Sequence, residues 1–170
     1  MARVILITGG NRGDVKSRLQ RAQSMINAEI GPVMRCSHRY KSAPWGFQAD
    51  EPFSNQVLVA DTDLSPREVL EKVQAIEQAL GRDRAAEEAE KERTGQKYSS
   101  REIDVDILFY DDEVVADMDL VIPHPLLHER DFVLEPLCEV APQKIHPVLG
   151  RTVAELWDEM DGRNGDRECD

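Results

Sequence analysis

Apolar residues occupy every second position between residues 103 and 109. One set of alternate positions is apolar and comprises Ile103, Val105, Ile107 and Phe109. The positions between them carry Asp104, Asp106, Leu108 and Tyr110. Because successive side chains of a strand point to opposite faces, this pattern predicts a strand with one face in the core. The other face would present two carboxylates at positions i and i+2, about 7 Å apart.

Similar patterns predict the remaining elements of the chain. Apolar runs predict strands over residues 3–8, 33–42 and 53–63, and helical spacing predicts helices within 13–32 and over 65–81. Ser65 and Glu68 form a capping-box pattern at the start of the second helix. The element order predicts an α+β fold of the ferredoxin-like βαββαβ type, an antiparallel sheet with both helices on one face. We expect a strand pair near 113–122 and helices within 131–140 and near 152–160.

Composition then limits the class of protein. A chain of 170 residues favours one domain, here residues 1–160, followed by an acidic tail over 161–170 that we expect to be frayed. The net charge of −12 and the aromatic content of 5% argue against a nucleic-acid partner, including an RNA-binding ferredoxin-like module. No apolar run reaches the roughly 18 residues of a membrane span, and the three cysteines are scattered. We therefore expect a cytoplasmic, monomeric protein without a membrane partner.

The paired carboxylates are the main candidate for chemistry. Mg²⁺ takes one or two carboxylates and completes its coordination with waters and substrate phosphate oxygens. Cationic residues that could neutralise the remaining phosphate charge occur before and after the pair, at Arg82, Arg84, Arg101, His124 and Arg130. This grouping favours a magnesium-dependent nucleotide-phosphate site, with an ordinary exposed strand face as the alternative.

Five motifs in order resemble those of the hydroxymethyldihydropterin pyrophosphokinases of folate biosynthesis. They are TGGN after the first strand, YKSAPWGFQADEPFSNQV, QAIEQALGRDR, SSREIDVDILFYDDEVV and IPHPLLHERDFVLEPLCEVAP. The fourth contains an arginine, two variable residues and Asp-x-Asp, and the fifth contains Pro-His and Arg-x-Phe. The resemblance runs from about residue 3 to residue 150 and shares the predicted element order.

The resemblance implies a role for individual residues. Asp104 and Asp106 would bind two Mg²⁺ ions and, with Arg82 and Arg101, form the catalytic set. The implied ATP-binding residues are Gln74, Glu77, Arg82, Arg84, Tyr98, Arg101, His124 and Arg130. The implied pterin-binding residues are Ser42, Ala43, Trp45, Phe53, Asn55 and Phe132. A flat heteroaromatic ring suits two aromatic faces, here Phe53 and Phe132, and a side-chain amide, here Asn55, at its polar edge.

The implied activity is an ATP-dependent diphosphate transfer. The β,γ-phosphates of ATP would pass to the hydroxymethyl oxygen of 6-hydroxymethyl-7,8-dihydropterin, with release of AMP. Asp106 is the candidate general base. The alternative is a non-catalytic nucleotide- or pterin-binding relative with the same fold, against which the retention of both aspartates argues.

Several positions depart from the family pattern. Asp119 and Val121 stand where an arginine and a threonine are common, and Pro125 replaces a common tyrosine. Each change would remove a nucleotide contact, so these residues bear on ATP affinity more than on the reaction. The loop at 85–97 is long for the family, which suggests a larger and slower lid over the site.

Overall fold

A computed structural model describes residues 1–11, 14–42, 53–81 and 103–168 of the chain. The strands are β1 (Ala2–Gly10), β2 (Val33–Cys36), β3 (Tyr40–Ser42), β4 (Phe53–Thr62), β5 (Asp104–Tyr110), β6 (Val115–Ala116) and β7 (Val121–Ile122). The helices are α1 (Val15–Glu29), α2 (Pro66–Ala79), α3 (Asp131–Val140) and α4 (Val153–Glu168), with a 3-10 turn at Leu127–Glu129. The predicted element order is confirmed.

The main sheet has the antiparallel order β2–β4–β1–β5, and β3 also pairs with β4. This is the predicted ferredoxin-like arrangement, in which the first and last strands of the motif are neighbours. The predicted strand over 33–42 is instead two strands, because Ser37 interrupts the ladder. The hydroxyl of Ser37 accepts the backbone N–H of Val57, at 3.0 Å, in place of a backbone carbonyl.

Both faces of the sheet are buried. One core cluster joins β1, β4 and β5 to α1 and α2, with Leu6, Leu19 and Ile76 among its members. A second cluster joins the opposite face to α3 and α4, with Phe109, Leu134 and Leu156 among its members. The two helices of the ferredoxin-like motif thus share one face as predicted, and the C-terminal helices cover the other.

A β-bulge changes the facing of the last residues of β5. Leu6 pairs with Ile107, but Ile5 pairs with Phe109, so Leu108 has no directly paired residue on β1. The extra residue reverses the alternation of side chains beyond it. The prediction that Phe109 shares a face with Ile107 is therefore wrong, since Ile107 lies in the first cluster and Phe109 in the second.

Helix boundaries follow the predicted caps. The Ser65 hydroxyl accepts the N–H of Glu68, and the Glu68 carboxylate accepts the N–H of Ser65. Thr152 and Glu155 make the same reciprocal pair before α4. This last helix continues to Glu168, further than the predicted end near residue 160. Within the described residues, no helix combines the length and apolar character needed to cross a bilayer.

Candidate active site

Asp104 and Asp106 lie in the first half of β5 and are both partly exposed. They alternate with Ile103, Val105 and Ile107, which are buried in the core cluster beneath α1 and α2. The alternation predicted for this part of the strand is confirmed. It gives two carboxylates on one face of a single strand, at the spacing of about 7 Å set by strand geometry.

The end of β1 brings the predicted metal and pterin ligands together. Gly9 of β1 pairs with Asn55 of β4 on one side and with Asp104 of β5 on the other. Neighbouring strands lie about 4.8 Å apart, so the backbones of Asn55 and Asp104 are separated by about 10 Å across Gly9. A small molecule seated over this glycine could therefore contact both side chains.

The pterin-binding prediction also includes residues at the ends of β3 and β4. Ser42 lies opposite Phe53, and Tyr40 lies opposite Asn55, in the β3–β4 register. Phe53 is partly buried, whereas Asn55 is buried. The predicted backbone contact of Ser42 and the predicted ring contact of Phe53 thus belong to the same end of the sheet as Asn55.

His124 follows the cis peptide bond between Ile122 and Pro123. Its backbone N–H donates to the carbonyl oxygen of Leu108 at 3.1 Å, and its Nδ1 accepts the N–H of Leu126 at 3.3 Å. With Nδ1 as acceptor, the neutral ring carries its proton on Nε2. Burial lowers the pKa of His124, nearby Arg130 lowers it further, and Asp104 opposes them. The imidazole is neutral at pH 7 and can donate from Nε2 to an anion.

Arg130 and Phe132 form a cation–π contact at the start of α3. The guanidinium carbon of Arg130 lies 5.7 Å from the centroid of the Phe132 ring. The two residues were predicted to contact phosphate and pterin, respectively. Their contact places a predicted phosphate-binding cation beside a residue predicted to contact the pterin ring.

Glu77 on α2 is only 2% exposed, and its Oε2 accepts the backbone N–H of Val105 at 3.0 Å. Val105 separates the two aspartates, so this bond ties α2 to the strand that carries them. The predicted nucleotide contact of Glu77 stays a prediction, and the structure adds a supporting role for the strand. Gln74, three residues earlier on the same helix, is exposed.

A cavity of about 290 Å³ lies between α2, β5 and the β6–β7 hairpin. Asp106 and His124 both line it, which brings together two residues that the sequence predicted separately. Its apolar lining includes Leu70, Val73, Ile107, Leu120, Val121 and Pro125. Asp119, one of the departures from the family pattern, is also in its wall and is bonded to Arg67, a residue that sequence reasoning missed. No short-range signal links these two residues, which are 52 positions apart.

Six predicted site residues lie outside the described part of the chain, together with the predicted lid at 85–97. They are Ala43, Trp45, Arg82, Arg84, Tyr98 and Arg101. Among the described residues, no group of three metal-ligating side chains is present. Two oxygen donors nevertheless fit Mg²⁺, because this ion takes few protein ligands when a substrate phosphate supplies others.

Fold and site together define a class: a ferredoxin-like α+β protein with paired carboxylates at one end of the sheet, beside a cavity, and with a side-chain amide on the next strand but one. The family model described as 7,8-dihydro-6-hydroxymethylpterin-pyrophosphokinase (HPPK) matches residues 5–142. The chain belongs to this family.

Individual relatives agree with this membership. A curated 2-amino-4-hydroxy-6-hydroxymethyldihydropteridine pyrophosphokinase of Aquifex aeolicus strain VF5 is 40% identical over 156 residues, which cover 92% of this chain and 91% of the relative. Its namesake from Methylorubrum extorquens is 36% identical over 162 residues, 95% of each chain. The crystal structure of Plasmodium falciparum HPPK-DHPS with pteroate superposes with a TM-score of 0.78 and 14% identity, over 99% of this chain and 46% of that one. The structural match shows the shared fold.

Proposed function

We propose that the protein is an ATP-dependent pyrophosphokinase acting on 6-hydroxymethyl-7,8-dihydropterin. The hydroxymethyl oxygen forms a bond to the β-phosphorus of ATP, and the bond from that phosphorus to the α,β-bridging oxygen breaks. AMP leaves, and the diphosphate stays on the pterin. Family membership and the printed names of the relatives support the activity. The observation that carries the proposal is the register of Gly9 between Asn55 and Asp104.

Different described residues would contact the pterin and the nucleotide. Asn55 would hydrogen-bond the amide edge of the pterin, while Phe53 and Phe132 contact its faces. His124 would donate from Nε2, and Arg130 from its guanidinium, to phosphate oxygens. Asp106 is the candidate acceptor of the hydroxymethyl proton. The apolar lining of the cavity suits the nucleotide base, because a heteroaromatic ring loses little by leaving water there.

Two Mg²⁺ ions, held by Asp104 and Asp106 together with phosphate oxygens, would supply charge compensation for the phosphates. The carboxylates of β5 fix the position of the nucleotide, since the strand is bonded to β1 on one side and to Glu77 on the other. The alignment of the pterin oxygen, the β-phosphorus and the α,β-bridging oxygen then depends on how far apart β1 holds the pterin and phosphate ends of the site.

We further propose that residues 1–160 form one catalytic domain and that 161–170 form an acidic tail. The protein would act as a cytoplasmic monomer on two small-molecule substrates. Size-exclusion chromatography with light scattering tests the monomer directly.

A coupled assay for AMP, with the pterin alcohol, ATP and Mg²⁺, tests the activity. Asp104→Asn and Asp106→Asn should each lower kcat/KM by roughly 10²-fold or more, because they remove transition-state charge stabilisation. Asp112→Asn is the matched control, an exposed acid just after β5 whose loss should have little effect. Intact turnover in the double Asp104→Asn, Asp106→Asn variant would overturn the proposal. Calorimetric ATP and pterin binding without AMP release in the wild type would favour the binding-only relative.

A further inference from the structure

Arg67 makes a three-bond ion-pair cluster with two acids of the β6–β7 hairpin. Its Nη1 donates to both carboxylate oxygens of Asp119, at 2.7 and 2.8 Å, and its Nη2 donates to Oδ2 of Asp117 at 2.9 Å. The contact holds the pKa of the Asp119 carboxyl below its usual value. Asp119 is therefore ionised at neutral pH, and the same guanidinium also bonds the carboxylate of Asp117.

The cluster lies at the cavity that holds Asp106 and His124. Asp119 lines this cavity from the hairpin side, and Leu70, three residues after Arg67 on α2, lines it from the helix side. The hairpin loop that carries both acids is closed by the N–H of Asp117, which donates to the carbonyl of Leu120 at 3.0 Å. Arg67 thus joins the two walls of the cavity at its rim.

The negative charge at this rim should affect the binding of a polyanionic ligand. The chain has a net charge of −12, and the cavity already contains Asp106. Removing Arg67 would change the charge of this rim from −1 to −2, and a triphosphate whose base occupies the cavity would be repelled wherever it lies within about one screening length, 8–10 Å, of the two acids. At such distances in a partly exposed site, each like charge weakens binding by a modest factor.

We propose that Arg67 is a positioning residue for the nucleotide, which acts by holding Asp117 and Asp119 and by offsetting one of their two negative charges at the rim of the cavity. The inference rests on the proposed function, since it takes a nucleoside triphosphate as the ligand. Because the pair is solvent-exposed, its loss should change ligand affinity more than folding.

The test compares KM for ATP with kcat and with KM for the pterin. Arg67→Gln should raise KM for ATP about three- to tenfold while kcat and the pterin KM change less than about twofold. Adding Asp117→Asn and Asp119→Asn to this variant should return the ATP KM to the wild-type value or below, because the charge of the cluster is then zero, against −1 in the wild type and −2 in Arg67→Gln. Arg67→Lys should give an intermediate value. Lys72→Gln is the matched control, since Lys72 is an equally exposed cation of α2 paired with Glu29 at 3.3 Å.

Calorimetric titration with ATP and Mg²⁺ separates this inference from the proposed function. A wild type without AMP release would overturn the proposed function, and the Arg67 inference is then decided by the dissociation constants alone. An ATP affinity that is unchanged in Arg67→Gln would overturn the Arg67 inference. An affinity loss that the triple variant does not reverse would do the same.

Discussion

The side-chain amide of Asn55 lies directly against the Cα of Gly9. A Cβ atom added to Gly9 would come within 2.5 Å of Asn55 Oδ1 and 3.2 Å of the Ser54 carbonyl oxygen. No ordinary Cβ approaches an oxygen that closely, so any side chain at residue 9 must displace the amide. Because Asn55 is also the predicted pterin ligand, this contact makes a specific prediction about substrate binding.

Gly9→Ala should raise KM for the pterin about tenfold or more, because the displaced Asn55 can no longer reach the polar edge of the ring. The nearest atom is the end of one side chain, and the Ser54 carbonyl needs to shift by only a few tenths of an ångström, so the free energy of unfolding should fall by about 1–2 kcal/mol. Steady-state kinetics with each substrate varied and urea denaturation measure the two effects. A matching rise in the ATP KM would contradict a local effect on the pterin site.

Glu77→Leu should destabilise the protein by roughly 1–3 kcal/mol, because it leaves the buried N–H of Val105 without its acceptor. Glu77→Gln keeps an acceptor oxygen and should cost less. Since Val105 lies between the two aspartates, the leucine variant should also weaken binding of ATP with Mg²⁺. Urea denaturation and calorimetry check both effects, and equal losses in the two variants would show that the Val105 bond is unimportant.

Glu139 of α3 binds two residues near the predicted pterin-binding end of the sheet. It accepts the Tyr40 hydroxyl at 2.5 Å and the His38 backbone N–H at 3.2 Å. The bond from Tyr40 raises the pKa of that tyrosine to about 12. Glu139→Gln should return the Tyr40 pKa towards its usual value of 10.0. Ultraviolet titration measures ionisation of the tyrosines, and the difference from a Tyr40→Phe protein isolates the contribution of Tyr40. A Tyr40 pKa that is the same in Glu139→Gln as in the wild type would contradict the contact.

His146 should make folding stability fall in mild acid. Its Nδ1 accepts the N–H groups of Val148 and Leu149, at 3.2 and 3.1 Å. Burial lowers its pKa from 6.5, and His128 and Lys144 lower it further. The unfolded state therefore binds the proton more readily, so this contribution is complete above pH 6.5 and is lost as pH falls through the folded pKa.

His146→Asn keeps an acceptor for these N–H groups but does not titrate. Denaturation at about pH 7.5 and about pH 5 should show a smaller loss of stability in this variant, by up to about 1.4 kcal/mol per pH unit. The partly buried His124, whose pKa is also lowered, contributes with the same sign in both proteins. If the free energy of unfolding changes equally with pH in the wild type and in His146→Asn, then another group causes the acid sensitivity.

Periodicity and capping patterns were sufficient to predict most of the fold. Side chains at Val105 and Ile107 follow the period of a strand, and Ser65 with Glu68 marks a helix start, because both signals depend on neighbours within a few residues. The bulge at Leu108 left no such signal, since it results from how β1 packs against β5. The facing of Phe109 could therefore not be read from the sequence.

The residue types of the candidate site could be predicted from the sequence, but the hydrogen bonds and ion pairs that join its residues could not. Asp104, Asp106 and His124 were identified from motifs, and the structure brings Asp106 and His124 to one cavity. The bonds from Arg67 to Asp119 and from Val105 to Glu77 join residues far apart in sequence. Such pairs depend on the tertiary arrangement of α2 against β5 and the hairpin, which local patterns do not encode.

The position of β5 at the border of the sheet has a consequence for solubility. A border strand normally offers free backbone groups to which another polypeptide can add. Here the N–H of Val105 is taken by Glu77, and the carbonyl of Leu108 is taken by the N–H of His124. Two residues expected to serve phosphate transfer thus also shield the strand from intermolecular pairing, so changes made there to alter catalysis should be screened for self-association.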